Sequence, residues 1–296
     1  MAFGYQGSAL ATQPADFLQA FRWSSADALL GGLSGFDLAA DGSGFVVLSD
    51  HGVMAEGQIL RDAEGMITGI ETAPMQVLRD ENGAPLQRGS NDSEGIARDA
   101  KGRIYISFEG PARVRSYESL GAKARNLPSP EAFGAMQKNS ALEALAIDHR
   151  GWLYTMPERS GALDRPFPVF VFDGAEWSQP FDIPREGDFL PVSADFGPDG
   201  RLYLLERAFR GVRGFASRVR VFDIGAQGAG PGETVLQTEV GTHDNLEGLA
   251  IWRDAQGRIR LTMVSDNNFY FFLRQEVVEY VLPEDAGPVD VGLAED

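Results

Sequence analysis

Glu94 and Glu109 stand eight residues before and seven residues after the same glycine, Gly102. Glu143 and Glu158 repeat those offsets around Gly151. The start of one antiparallel strand and the end of its partner lie side by side, so two such carboxylates share one end of a hairpin. Glu247 and Asp266 repeat the arrangement across a longer hairpin around Gly257, and Asp50 and Glu206 supply the outgoing acid after Gly42 and Gly200. If the hairpins surround one axis, these acids meet in one funnel. Two unit charges ~5 Å apart repel by roughly 3 kcal/mol at an effective dielectric of about 20, so such a ring calls for protons, arginines or a metal. Oxygen donors with only three histidines in the chain point to Ca²⁺, with Mg²⁺ or Mn²⁺ second choices. The expected ligands are Asp50, Glu94, Glu143, Glu206, Glu247 and Asp266, helped by Asn91, Asn245 and Asn267. For any single acid the alternative role is structural, accepting loop N–H groups that pin neighbouring strands.

The elements that must position these acids are repeated β-hairpins. Gly42, Gly102, Gly151, Gly200 and Gly257 follow one another at 60, 49, 49 and 57 residues, close to the roughly 40–50 residues of a propeller blade. Each sits in a turn between an apolar segment such as "GIARD" or "GLAIW" and a β-rich run such as "RIYISF", "WLYTM" or "RLYLL". The fold expected is all-β, a single five-bladed propeller over residues 16–283, with six blades the alternative given the long first interval. The outer strands expected include "MQVLRD", "ARNL", "QPFDI" and "TVLQTEV". The last copy lacks one, and the N-terminal "DFLQAFRW" is expected to complete it and close the ring. Residues 1–15 and the acidic 284–296 read as tails, and "SPEAFGAMQKNSALEAL" as the one place for a helical turn or two.

Composition narrows the chemistry. A net charge of −17 opposes nucleic acid and anionic membranes. No apolar run reaches the roughly 20 residues of a membrane span. Without cysteine there are no thiolate ligands or nucleophiles. With three lysines in the chain, anion binding falls to arginine, and Arg88, Arg207 and Arg210 are placed to reach the acidic face. His51 and His243 are candidate proton shuttles on that side, whereas His149 sits in a turn at the other end. No G-x-S-x-G, Walker A or H-E-x-x-H pattern occurs.

The stretches "GGLSGFD…VVLSDHG", "NDSEGIARDAKGRIYISFEG", "LEALAID", "DGRLYLLERAF" and "DNLEGLAI…MVSDNNF" together resemble the bacterial "esterase-like activity of phytase" (phytase-like) family, from Leu30 to about Phe269. The resemblance implies a secreted or periplasmic β-propeller acting on phosphoesters, with Asp50, Glu94, Glu143, Glu206, Glu247 and Asp266 as its recurrent acids. No signal peptide is visible, so export requires a trimmed chain and the location is otherwise cytoplasmic. The chain's acidity argues against phytate itself. The expectation is a monomeric, calcium-dependent phosphomonoester or phosphodiester hydrolase for a small-molecule substrate. Glu109 or Glu158 would take a proton from water, and Arg88, Arg207 and Arg210 would bind the phosphoryl group. The alternatives are a metal-dependent lactonase or carboxylesterase, and a non-catalytic calcium-stabilised propeller binding a cationic ligand or protein.

Overall fold

The structure, a computed structural model, describes residues 14–137, 140–270 and 273–283. Five antiparallel sheets form the blades, four of them four-stranded and the first carrying a short fifth strand. Their inner strands are Leu33–Leu38, Ser93–Arg98, Leu142–Ile147, Leu190–Phe196 and Asn245–Arg253. Each packs beside the next, and the fifth packs beside the first, which closes the ring. The second strands, Gly44–Ser49, Ile104–Phe108, Leu153–Pro157, Leu202–Phe209 and Ile259–Asp266, return from turns in which all five predicted glycines have left-handed φ between 74° and 83°.

The N-terminal strand Asp16–Arg22 pairs with Glu276–Val281 and supplies the outer strand of the fifth blade, as expected. A buried ion pair reinforces this seam. Arg61 of the first blade reaches Glu279 of the fifth at 2.7 Å, and Gln19 of the closing strand donates to the same carboxylate. The six-blade alternative fails because the long first interval is taken up by lengthened strands Val53–Arg61 and Ile67–Thr72. Its fourth strand is therefore Ile67–Thr72, and the "MQVLRD" segment adds only the short piece Gln76–Val77 along the same edge. The helical stretch is a single turn, Glu131–Gly134. Residues 14 and 15 apart, the two tails lie outside the described residues.

Five apolar clusters lie between successive blades, one at each of the five interfaces. The period-2 alternation of a strand explains this. Tyr203 and Leu205 point into the interface with the fifth blade, and Leu202 and Leu204 into that with the third. Strands covered on both faces read as nearly continuous apolar runs, which is why "RLYLL" and "GFVVL" carry so little polar alternation. The turn aspartates serve the hairpins rather than a metal: Asp99, Asp148 and Asp254 each accept two backbone N–H groups of their own turn.

Candidate functional site

All five inner strands break register at the same place, between Leu33 and Gly35, Ser93 and Ile96, Leu142 and Ala144, Pro191 and Ser193, and Leu246 and Gly248. A bulge re-aims the extra residue's side chain. The residues in these bulges are Ser34, Glu94, Glu143, Val192 and Glu247, so three of the five positions around the axis carry carboxylates. The residue after Glu94 shows how tightly the blades approach there. A Cβ on Gly95 would stand 2.4 Å from the carbonyl oxygen of Glu143 in the next blade, so the Glu-Gly pair belongs to the geometry.

A second tier comes from the ends of the second strands. Asp50, Glu109 and Glu158 hydrogen-bond through their backbone N–H to Gly32, Asp92 and Ala141, the residues just before the inner strands begin. In the fourth and fifth blades the corresponding pairs are Leu190 with Arg207 and Asn245 with Asp266. The tier therefore reads Asp50, Glu109, Glu158, Arg207, Asp266. This corrects the expected role of Glu206. It lies one residue early, and the strand alternation turns it away from the funnel. It is fully buried against Arg218 (2.8 Å) and Arg220 (2.6 Å) inside its own blade and is not available to a metal. Arg207 stands seven residues after Gly200, the offset of Glu109 and Glu158, so the spacing already pointed to it.

The two sides of the funnel differ in charge. On one, Arg207 donates to Asn245 Oδ1 at 2.7 Å, to Glu158 at 3.3 Å and to Glu247, while Asn245 also donates to Glu247 at 2.6 Å. Burial opposes the Arg207 charge, but the Glu247, Glu143 and Glu158 carboxylates outweigh it and hold its pKa above the usual value. On the other side, carboxylate oxygens of Asp92, Glu94 and Glu109 lie within 4.8 Å of one another. None of these three acids forms an ion pair with an arginine or lysine among the described residues. Burial first, then Glu143, Glu247, Asp92 and Glu109, pushes the Glu94 carboxyl well above its ordinary range. Burial followed by Glu247, Glu158 and Glu109 does the same to Glu143. Glu109 is raised to about 7 by burial, Asp92 and Glu158. Asp266 reaches about 7 through burial, Glu247 and Asp50.

The donor set of Asp92, Glu94 and Glu109 fits a hard divalent cation. Oxygens bound to one calcium at about 2.3–2.6 Å can lie no more than roughly 5 Å apart, and these three meet that limit. Among the described residues this is the one group of three potential ligands so close together. Asp50, Glu247 and Asp266 share the funnel but do not converge in this way, and Glu143 and Glu158 border both sides through their charges. Asp92 was missed as a ligand. The signal for it was its position two residues before Glu94, opposite Glu109 across the hairpin. Asn91 and Asn267 are already engaged, Asn91 donating to the His51 carbonyl of the first blade and accepting from Gly89 N–H, and Asn267 accepting from Phe269 N–H.

The remaining candidates separate. His51 stays at the funnel mouth, with Nε2 3.8 Å from Asp50 Oδ1. His243 does not: it is buried, with Nε2 2.7 Å from the Tyr280 hydroxyl on a third strand, and burial and Arg274 lower its pKa to about 4. Tyr280 lies away from the axis, so His243 is no funnel base. Arg210 pairs with the exposed Asp188, and Arg88 is exposed on the loop before Asp92; neither contacts the acid ring.

The raised carboxyls give a signed pH dependence. In the folded protein Glu109 and Asp266 hold protons up to about pH 7 that the unfolded chain releases near pH 4. The folded state binds more protons across that window, so metal-free stability falls as pH rises through it and levels off above about 7. Chelator-treated protein should melt at least roughly 5 °C lower at pH 8 than at pH 5, and calcium should recover most of the loss. Differential scanning calorimetry at the two pH values checks this; a flat or rising profile contradicts the electrostatics.

A family model described as Phytase-like, esterase-like activity of phytase, matches residues 28–269. No curated protein is matched. Among solved structures, an α-L-arabinofuranosidase from Podospora anserina in complex with cellotriose superposes with a TM-score of 0.55 at 11% identity, covering 92% of this chain and 98% of that one. A PQQ-bound aldose sugar dehydrogenase from Streptomyces coelicolor gives 0.46 at 13% identity, covering 89% and 98%. A gluconolactonase from Xanthomonas campestris gives 0.44 at 13%, covering 93% and 99%. At these identities the likeness is one of fold.

Proposed function

The chain belongs to the phytase-like, esterase-like activity of phytase family, and on that premise we propose that it hydrolyses small phosphoesters in the axial funnel with the help of a divalent cation, calcium by the chemistry of its donors. The observation that carries this reading is the Asp92–Glu94–Glu109 cluster, which has no arginine or lysine ion pair among the described residues and shares a funnel with Arg207. Asp92, Glu94 and Glu109 would hold the ion. When bound, it supplies positive charge that offsets the phosphoryl oxygens and favours the ionised form of water.

The chain's own groups supply the rest. Arg207 offers a fixed guanidinium, suited to phosphoryl oxygens as charge builds on them. Glu247, Asn245 and Glu158 hold that guanidinium in place. Asp266, with its carboxyl near 7, is divided between acid and carboxylate at neutral pH and suits proton transfer from an attacking water. Glu158 stands beside Arg207 as a second acceptor.

One observation favours a second reading. Two carboxylates already engage Arg207, so its charge is partly spent inside the protein. A non-catalytic propeller stabilised by a cation would look the same. Assays with p-nitrophenyl phosphomonoesters, phosphodiesters and acyl esters, each with calcium or with EGTA, separate these outcomes. The proposal expects calcium-dependent turnover of a phosphoester. Turnover of acyl esters alone moves the chemistry to a carbonyl, and calcium-dependent stability with no turnover supports the non-catalytic protein.

A further inference from the structure

We infer that His51 is a stacking platform for a planar ring carried by the substrate's ester group, which makes aryl or nucleoside-type phosphoesters the preferred substrate class; this rests on the hydrolase reading above. Asn268 and Phe269 are the two non-glycine residues of the described chain with positive φ, at 47° and 54°. That conformation is costly for a bulky residue such as phenylalanine and, where found, tends to mark a functional place. It follows directly on Asp266, whose Oδ1 accepts the Asn268 N–H at 2.7 Å. The loop thus aims Phe269 from the edge of the acid ring.

What Phe269 meets is built to receive it. Its ring lies over Gly31 and Gly32, where a Cβ on either residue would come within 2.9 Å of a Phe269 ring carbon. Gly32 is itself left-handed, and its Cβ would also stand 2.3 Å from Asp50 Oδ1. The Gly-Gly pair is a slot shaped for an aromatic ring. On Phe269 stacks His51, with ring centroids 4.8 Å apart and planes within 6° of parallel. The order is glycine backbone, phenylalanine, histidine, with the His51 side chain 61% exposed at the top. Tyr270 beside it is 56% exposed.

Core packing does not need this arrangement, since an exposed stack buries little apolar surface. It does place a flat, laterally fixed π-face beside Asp50 at the mouth of the funnel. Stacking a planar group on such a face favours binding without reading the group's edge. The same geometry changes the role of His51. Braced face to face, the imidazole serves as a surface, and its proton is not required.

Calorimetric titration of calcium-loaded protein with phenylphosphonate and methylphosphonate tests this without turnover. The expected result is that phenylphosphonate binds about tenfold more tightly. His51→Ala should reduce that gap to less than about twofold, and His51→Phe should keep it, because a flat ring is restored and the titratable nitrogen is gone. Adenosine 5′-monophosphate is the third probe; tighter binding than phenylphosphonate identifies a nucleoside, and weaker binding a simple aryl group. With hydrolysable esters the His51→Ala effect should fall on KM for the aryl substrate rather than on kcat. Equal phosphonate affinities in the wild type, no binding of either, or a gap unaffected by His51→Ala overturns the platform. A preserved gap without hydrolysis of any ester keeps the platform and overturns the hydrolase.

Discussion

Glu94→Gln should lower calcium affinity by about two orders of magnitude and, in the same protein, raise the melting temperature of the metal-free form at pH 8. The two effects have one cause. Glu94 is 8% exposed, has Asp92 and Glu109 as its neighbours and forms no ion pair with an arginine or lysine among the described residues. An amide keeps the shape and cannot carry the negative charge that burial and the neighbouring acids oppose, so the metal-free fold gains on the order of 1–2 kcal/mol, or roughly 2–8 °C. The same charge is what attracts the ion, and a lost ligand costs at least the 10–100-fold expected of its supporting shell. If Glu94 were a structural acceptor for loop N–H groups, the substitution would instead destabilise the protein with or without calcium. Melting curves of both proteins, with calcium and with EGTA, separate the alternatives by sign.

Glu206→Ala should destabilise the fold by about 3–5 kcal/mol, seen as a fall in melting temperature of roughly 6–20 °C. Glu206 and Arg220 are both wholly buried, and Arg218 nearly so. Arg220 donates to both oxygens of Glu206, and Arg218 adds a third bond at 2.8 Å. Removing the acid leaves two enclosed guanidinium groups whose one remaining carboxylate partner is the half-exposed Glu186, with backbone carbonyls and the faces of Phe189 and Phe222 as their other contacts. Because Glu206 faces away from the funnel, calcium affinity measured well below the melting temperature should stay within about twofold. A loss of affinity comparable with that of Glu94→Gln would return Glu206 to the ligand set and break the assignment of Arg207 to the ring.

Those two glutamates show where sequence and structure part. Repeated glycines and strand-forming runs were enough for the propeller, its five blades and its closing N-terminal strand, because each blade repeats the same local chemistry. Convergence of Glu94, Glu109, Glu143 and Glu158 was legible because equal offsets from a turn glycine fix equal positions on a hairpin. Glu206 failed for the same reason stated strictly: at six residues from its glycine rather than seven, it lies on the opposite face of the strand. The bulge that aims Glu94 left a mark, the Glu-Gly pair, but its meaning depends on the neighbouring blade's carbonyl, which no local pattern encodes. Asp92 lies just before the strand and opposite Glu109, a position the hairpin register reaches, but that register alone does not say that its side chain turns toward Glu94. His243 precedes an inner strand, as Asp92 does, yet its ring turns outward to Tyr280. Only the tertiary fold decides such choices.

Cation-assisted hydrolysis in the funnel requires Asp92, Glu94 and Glu109 to bind a divalent ion. The direct measurement is isothermal titration calorimetry of chelator-stripped wild-type protein with calcium chloride at pH 8. The prediction is a saturable isotherm with one strong site, weakened about a hundredfold in Glu94→Gln, and a higher melting temperature of the wild type with calcium than with EGTA. No heat of binding, together with melting curves that coincide in calcium and in EGTA, would contradict it.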